Sequence, residues 1–325
     1  MTVWLTVAPT TAAAQVADSV GTRALGMAGA FVAVASDSSA TWWNPAGLAA
    51  GPFLDLTLAR AEVERGDGTA AWRHRTAWFA LATPPLGVSY YRFRITDIQP
   101  VSPTVATRAD REDRAAGVPV RSLSASHLGV TLVQTLIPGV HAGATLKYMR
   151  GTVHAGRGDA GIRATSDLLD AGEALDEGTG AGRFDVDAGL LAVVGVLRIG
   201  ARVRNVLQPA FEGMRLPRQA RVGVAFDPEP ATGIPLTVAL DADLNAYPAA
   251  SGLRRVVALG AERWFLGDRF GVRAGGRVNT VGARERSAAA GASVAVRPGL
   301  YVEGHAVRGG SADERGWGLA ARVSF

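Results

Sequence analysis

The chain has 325 residues, 34 basic against 29 acidic side chains, 40 glycines and no cysteine. Disulfides and thiolate metal sites are therefore excluded, and the charges of both signs are spread along the chain without the basic stripe that nucleic-acid binding needs. Mean hydropathy is +0.13, and no run of about 18 apolar residues occurs; this excludes a transmembrane helix but not a barrel, whose wall alternates apolar with polar residues.

Residues 1–15, MTVWLTVAPTTAAAQ, have a short apolar stretch and then Ala12-Ala13-Ala14 before Gln15. That is the small-residue pattern at the end of a secretory signal, here without the usual basic start. Residues 21–51, GTRALGMAGAFVAVASDSSATWWNPAGLAAG, come next. Their glycines invite comparison with a phosphate-binding loop, but no strand precedes them and no Lys-Ser/Thr follows the last of them. Local chemistry points instead to a compact, partly helical segment. Asp37 is expected to cap a short helix through its side-chain oxygen, and Pro45 restricts Asn44 and ends or bends that helix. Gly21, Gly26 and Gly29 are expected to let the backbone pass close to a neighbouring wall. Trp42 and Trp43 supply large apolar surface with one N–H each.

From residue 52 onward the dominant period is two. In residues 236–246, Leu236, Val238, Leu240, Ala242 and Leu244 share one face, and Asp241 and Asp243 lie on the other. Residues 182–195 set Phe184, Val186, Ala188 and Leu190 against Asp185 and Asp187. Residues 196–207 set Leu197, Ile199, Ala201 and Val203 against Arg198, Arg202 and Arg204; residues 269–279 set Phe270, Val272 and Val278 against Arg273 and Arg277. Side chains alternate across a strand, so each of these has an oily and a charged face. About fourteen such segments are expected, starting near 53, 75, 86, 122, 139, 183, 196, 218, 235, 252, 269, 286, 299 and 314. Links at 83–87, 137–139, 266–268 and 297–299 are short; those at 99–120, 154–181, 206–217 and 246–251 are long. Short turns at one end and long loops at the other are the asymmetry of an outer-membrane barrel. The last strand carries Trp317, Leu319, Ala321, Val323 and the terminal Phe325 on one face. The fold expected is all-β: a transmembrane antiparallel barrel of about fourteen strands.

The block Gly21, Arg23, Ala24, Gly26, Met27, Gly29, Ala30, Phe31, then Asp37, Ser39, Ala40, then Trp43, Asn44, Pro45, Ala46, Gly47 and Leu48 resembles the N-terminal signature of FadL-like and PorV/PorQ-like outer-membrane proteins. Residues 197–209, 216–226 and 259–265 resemble, more weakly, later strands of the PorV/PorQ branch, and the chain length also suits that branch. After the residual signal-like stretch at 1–15, the resemblance implies a short helical N-terminal plug or hatch at 16–51, folded in the lumen of a barrel at 52–325. It makes Gly21, Arg23, Gly26, Gly29, Asp37, Asn44, Pro45, Ala46 and Gly47 the expected plug and gate residues.

Charges expected to face the lumen are Arg198, Arg202, Arg204, Asp241, Asp243, Arg273 and Arg277, together with Arg92, Arg94, Lys147, Asp185, Asp187, Arg221, Glu262, Glu303 and Arg322. Such charges must pair or stay wet. Expected contacts to an apolar ligand are Leu25, Met27, Phe31, Trp42 and Trp43, which serve equally well to pack the plug against the wall. His74, His127, His141, His154 and His305 are dispersed without metal-ligand spacing, and no Gly-x-Ser-x-Gly elbow exists, so neither enzyme chemistry nor a cofactor is expected. The acidic stretch 167–178 lacks a calcium-loop pattern and reads as a surface loop or short helix. The FadL resemblance implies passive binding or transport of a fatty-acid-like hydrophobic molecule across the bacterial outer membrane, with membrane lipid around the wall. The PorV/PorQ resemblance implies a different role, a carrier or scaffold for exported proteins in type IX-like secretion.

Overall fold

A strand whose two faces differ in polarity must find lipid or core on one side and water or polar partners on the other, and its backbone groups must be paired at both edges. Closing the sheet on itself meets both demands. In the computed structural model, which describes residues 19–66, 71–98, 117–158, 164–175, 178–211, 214–249, 252–282, 284–310 and 314–325, fourteen antiparallel strands close into one cylinder. They are β1 (Asp55–Arg65), β2 (Trp72–Thr83), β3 (Leu86–Ile98), β4 (Val118–Ile137), β5 (Val140–Gly158), β6 (Thr179–Val194) and β7 (Leu197–Arg204). After a small hairpin, β8 (Ala210–Phe211) and β9 (Met214–Arg215), the wall continues with β10 (Gln219–Phe226) and β11 (Leu236–Asp243). A second small hairpin, β12 (Tyr247–Ala249) and β13 (Gly252–Arg254), precedes β14 (Val256–Phe265), β15 (Phe270–Asn279), β16 (Arg286–Arg297), β17 (Leu300–Gly309) and β18 (Glu314–Ser324). The first and last strands close the ring, in register from Asp55 opposite Ser324 to Arg65 opposite Glu314.

Every expected start falls within a few residues of an observed one. The largest offsets lie beside the long links, because β4, β5 and β6 run further into them than the sequence periodicity shows. The link at 154–181 holds a helix at Thr165–Glu173, and the link at 206–217 holds the first hairpin. The second hairpin runs past the link at 246–251 to Arg254, so the wall strand expected near 252 starts at Val256. Residues 1–15 and most of the loop at 99–120 lie outside the described residues.

The outer face carries an apolar band. Leu58, Leu81, Leu132, Leu146, Phe184, Ile199, Leu240, Leu259, Val302 and Leu319 all point away from the lumen and are exposed. An exposed apolar belt around a closed cylinder is stable only in lipid, and such a barrel belongs in a bacterial outer membrane. The charged positions between them point inward and are buried, among them Asp185, Asp187, Arg202, Arg204, Asp241 and Arg273.

Arg92 and Arg94 are the exception. Burial along β3 places Tyr91, Phe93 and Ile95 inward, so Arg92 and Arg94 face out. The expectation for these two inverts the strand, and a one-residue slip in parity flips every side chain. The physical reason is height. Arg92 follows Leu86, Val88 and Tyr90 on the outer face, at the point where the apolar band ends toward the long loops. The same step from apolar side chains to arginine occurs at Arg60 on β1, Arg75 on β2, Arg150 on β5, Arg308 on β17 and Arg315 on β18.

Candidate functional site: the segment inside the barrel

Residues 19–50 lie within the cylinder, nearly all buried. They form two short helices, α1 (Thr22–Gly26) and α2 (Ala40–Trp43), and a 3-10 turn at Pro45–Ala50. Asn44 is extended between α2 and that turn, and its Oδ1 accepts the Ala46 N–H at 3.2 Å, so Asn44-Pro45 stops one helix and caps the next. Asp37 is not the helix cap. Ser39 holds that position, and the Asp37 carboxylate accepts the Ser39 N–H at 3.0 Å and its hydroxyl at 2.5 Å, fixing the turn before α2.

The wall makes room for this segment by removing its own side chains. Inward glycines stand where the segment's backbone touches the strands: a Cβ on Gly143 would meet Ala46 N, on Gly189 the Asn44 side chain, and on Gly200 the Val32 carbonyl. At Gly260 and Gly275 it would lie 2.6 Å from Met27. Gly26 conforms to the expectation of a close approach, since its Cβ would lie 2.6 Å from the Arg273 side chain. Gly21 and Gly29 do not lie against the wall in this way. Both have positive φ, 82° and 87°, and both press against Trp43 of the segment itself. Gly47 is needed because a Cβ there would strike the Ala35 carbonyl, again within the segment.

Charged wall residues hold the segment at four places. Arg23 reaches Glu262 with Nε at 2.8 and 3.0 Å and Nη2 at 2.6 Å, and Arg273 approaches the same carboxylate at 3.5 Å. Asp241 accepts the backbone N–H groups of Phe31 and Val32, both at 2.9 Å. Arg221, paired with Asp243 at 2.6 Å, donates to the Gly29 carbonyl at 3.3 Å. Arg202 and Arg204 lie over the rings of Trp43 and Trp42, at 4.8 and 3.5 Å from the ring centres, and Arg202 also donates to the Trp42 carbonyl. Out of water, a guanidinium over an indole is worth about 2 kcal/mol. Asn44 completes the set by donating to the carbonyls of Val32 at 2.8 Å and Leu190 at 3.0 Å, one in the segment and one in the wall.

Other expected lumen charges pair within the wall and do not touch the segment. Arg198 pairs with Asp227 at 2.5 Å beside a short turn, and Arg277 pairs with Glu314 at 2.8 Å toward the long-loop mouth. The five expected ligand contacts are all buried in one apolar core, within which the two tryptophans meet different neighbours. Phe31 meets Trp43 edge to face at 6.1 Å, with Arg23 over the Phe31 ring; Leu25 and Met27 belong to the same apolar core.

Trp42 points elsewhere, into a nest of wall aromatics. Tyr91 and Phe93 each stand 5.1 Å away between ring centres, His127 is stacked at 6.1 Å, and Trp78 lies behind Tyr91 at 5.7 Å. Among the described residues, the Trp42 N–H and both ring nitrogens of His127 have no hydrogen-bond partner. Tyr91, Phe93, Trp78 and His127 were not expected from the sequence. The sequence signal for Tyr91 and Phe93 is the alternation Ser89, Tyr91, Phe93, Ile95, hidden because the arginines between them read as lumen charges.

No family model matches the chain, and no curated protein does. Solved structures do. The toluene transporter TbuX of Ralstonia pickettii superposes with a TM-score of 0.67 at 14% identity, over 94% of this chain and 98% of that one. The monoaromatic hydrocarbon channel CymD gives 0.65 at 13% identity, over 96% and 99%. A Pseudomonas aeruginosa FadL homologue gives 0.63 at 12% identity, over 94% and 98%. The expectation of a PorV/PorQ branch and a secreted-protein partner draws no support from these neighbours. The chain thus shares, nearly end to end, the fourteen-stranded barrel of FadL/TodX-type channels.

Proposed function

We propose that this barrel passes a small apolar molecule, with aromatic rings among its natural cargo, across the outer membrane without energy input, and that residues 19–50 are its gate. The observation that carries the reading is the nest around Trp42. Inside the barrel, one segment residue is sunk among Tyr91, Phe93, Trp78 and His127, with Arg204 over its ring, an apolar slot with few polar groups. When the gate swings out, Trp42 leaves a slot of its own size and chemistry, which an aromatic molecule fills by the same offset and edge-on ring contacts. The neighbours of this fold include a toluene transporter and a monoaromatic hydrocarbon channel, in keeping with that cargo.

The test is uptake of radiolabelled toluene and of a long-chain fatty acid by cells in which this chain is the only such channel. Toluene entry should exceed that of cells without the chain, and a Tyr91→Ala, Phe93→Ala double variant should lose most of the gain. Uptake equal to the empty cells, or unchanged in the double variant, would overturn the reading.

A further inference from the structure

Outside the lumen, the wall has a pocket that the transport reading does not use. It is a cavity of about 320 Å³ on the outer face of β1–β4, lined by Arg60, Arg75, Arg92, Arg94, Ser124 and Glu173 among others. The lining thus carries four guanidinium groups and one carboxylate, Glu173, with Glu62 adjoining at Arg75. Two of the four are engaged: Arg75 is held by Glu62 and Glu173, and Arg94 donates to Ser124 and to the Glu173 carbonyl. The other two are not. Arg60 and Arg92 are exposed, and neither has an ion-pair or hydrogen-bond partner among the described residues. They lie in one row of the sheet, Arg60 opposite Ala77 and Ala77 opposite Arg92. Two strand spacings put their backbones about 10 Å apart, and the alanine methyl between them leaves the gap open.

The height of this gap fixes what can reach it. Below it the outer face is Leu56 and Leu58 on β1, Phe79 and Leu81 on β2, and Leu86 on β3, all exposed. Above it the helix Thr165–Glu173 packs over the outer side of β3, β4 and β5, its Asp170 and Glu173 bound to Arg73 and Arg75. The pocket therefore opens where the hydrocarbon of the membrane ends, on the side of the long loops, which is the cell exterior in barrels of this kind.

We propose that Arg60 and Arg92 form a binding site for the phosphate of an outer-leaflet lipid headgroup, whose acyl chains lie along the apolar strip below. Guanidinium groups suit this role because their forked N–H donors match phosphate oxygens in pairs. The acidic helix above supplies the limit, since its carboxylates repel an anion that rises past the pocket.

The full-length protein in detergent is mixed with diphosphoryl lipid A or with the same lipid after removal of both phosphates, and retained lipid is counted by native mass spectrometry. Wild type should retain the phosphorylated lipid and lose most of it when the phosphates are absent. The Arg60→Gln, Arg92→Gln variant should lose the phosphorylated lipid while its toluene uptake stays at the wild-type level. Retention that ignores the phosphates, or a double variant that retains the lipid as wild type does, overturns the proposal. If the variant does not fold, the comparison of the two lipids on wild type still decides.

Discussion

If residues 19–50 are the gate proposed above, Asp241 is the residue on which its closed position depends most directly. Its carboxylate accepts two consecutive backbone N–H groups, those of Phe31 and Val32, in a site sealed from water. An orphaned buried donor costs about 1–3 kcal/mol, so Asp241→Ala leaves two such penalties in the closed state and none in a state where the segment meets water. The expected outcome is faster passive entry of toluene and of small dyes than in wild type, with Asp241→Asn between the two because its amide oxygen still accepts. Entry at the wild-type rate in Asp241→Ala would show that these bonds do not set the closed position. At this scale the sequence was partly legible. Asp241, Arg202 and Arg204 could be placed inward because β7 and β11 alternate cleanly between aliphatic and charged positions. Arg92 could not, because on β3 both faces carry large side chains and only the height of the membrane boundary, a property of the whole barrel, tells which face is which.

The N-terminal segment and the wall are fitted to each other but built on different terms. Each wall strand is paired along both edges by other strands, whereas the segment is held by side-chain contacts such as Arg23–Glu262 and by glycines at which the wall withdraws. Deleting residues 16–50 should therefore leave a closed barrel. The expected result is a protein that still migrates faster on gels before boiling than after, while cells carrying it admit apolar and polar solutes alike. A deletion variant that runs identically before and after boiling would show that the segment is needed to form the wall. The segment's course was readable from Asn44-Pro45 and the run of glycines. Its contacts were not, since pairing Arg23 with Glu262 brings together residues 239 apart, and nothing local marks such a pair.

For the molecule as a whole, one arrangement explains the alternation, the turn lengths and the buried charge. Oily positions meet lipid, while the ionised positions between them find partners on neighbouring strands or on the segment inside, as Lys147 on β5 does with Asp185 at 2.9 Å and Asp187 at 2.7 Å on β6. The periodicity of fourteen strands and the alternation of short and long links were both visible in the sequence, because closing a sheet repeats one rule on every strand. The slot around Trp42 and the pocket at Arg60 and Arg92 were not, because each is made by neighbours that only the ring order brings together. The central claim is that cargo passes only when residues 19–50 move. The chain has no cysteine, so a Ser19→Cys, Thr76→Cys pair, replacing hydroxyls that lie 2.6 Å apart, places one disulfide between the segment and the wall. Toluene uptake by this variant should fall close to that of cells without the channel when oxidised and recover on reduction; uptake that is the same in both states would contradict the account.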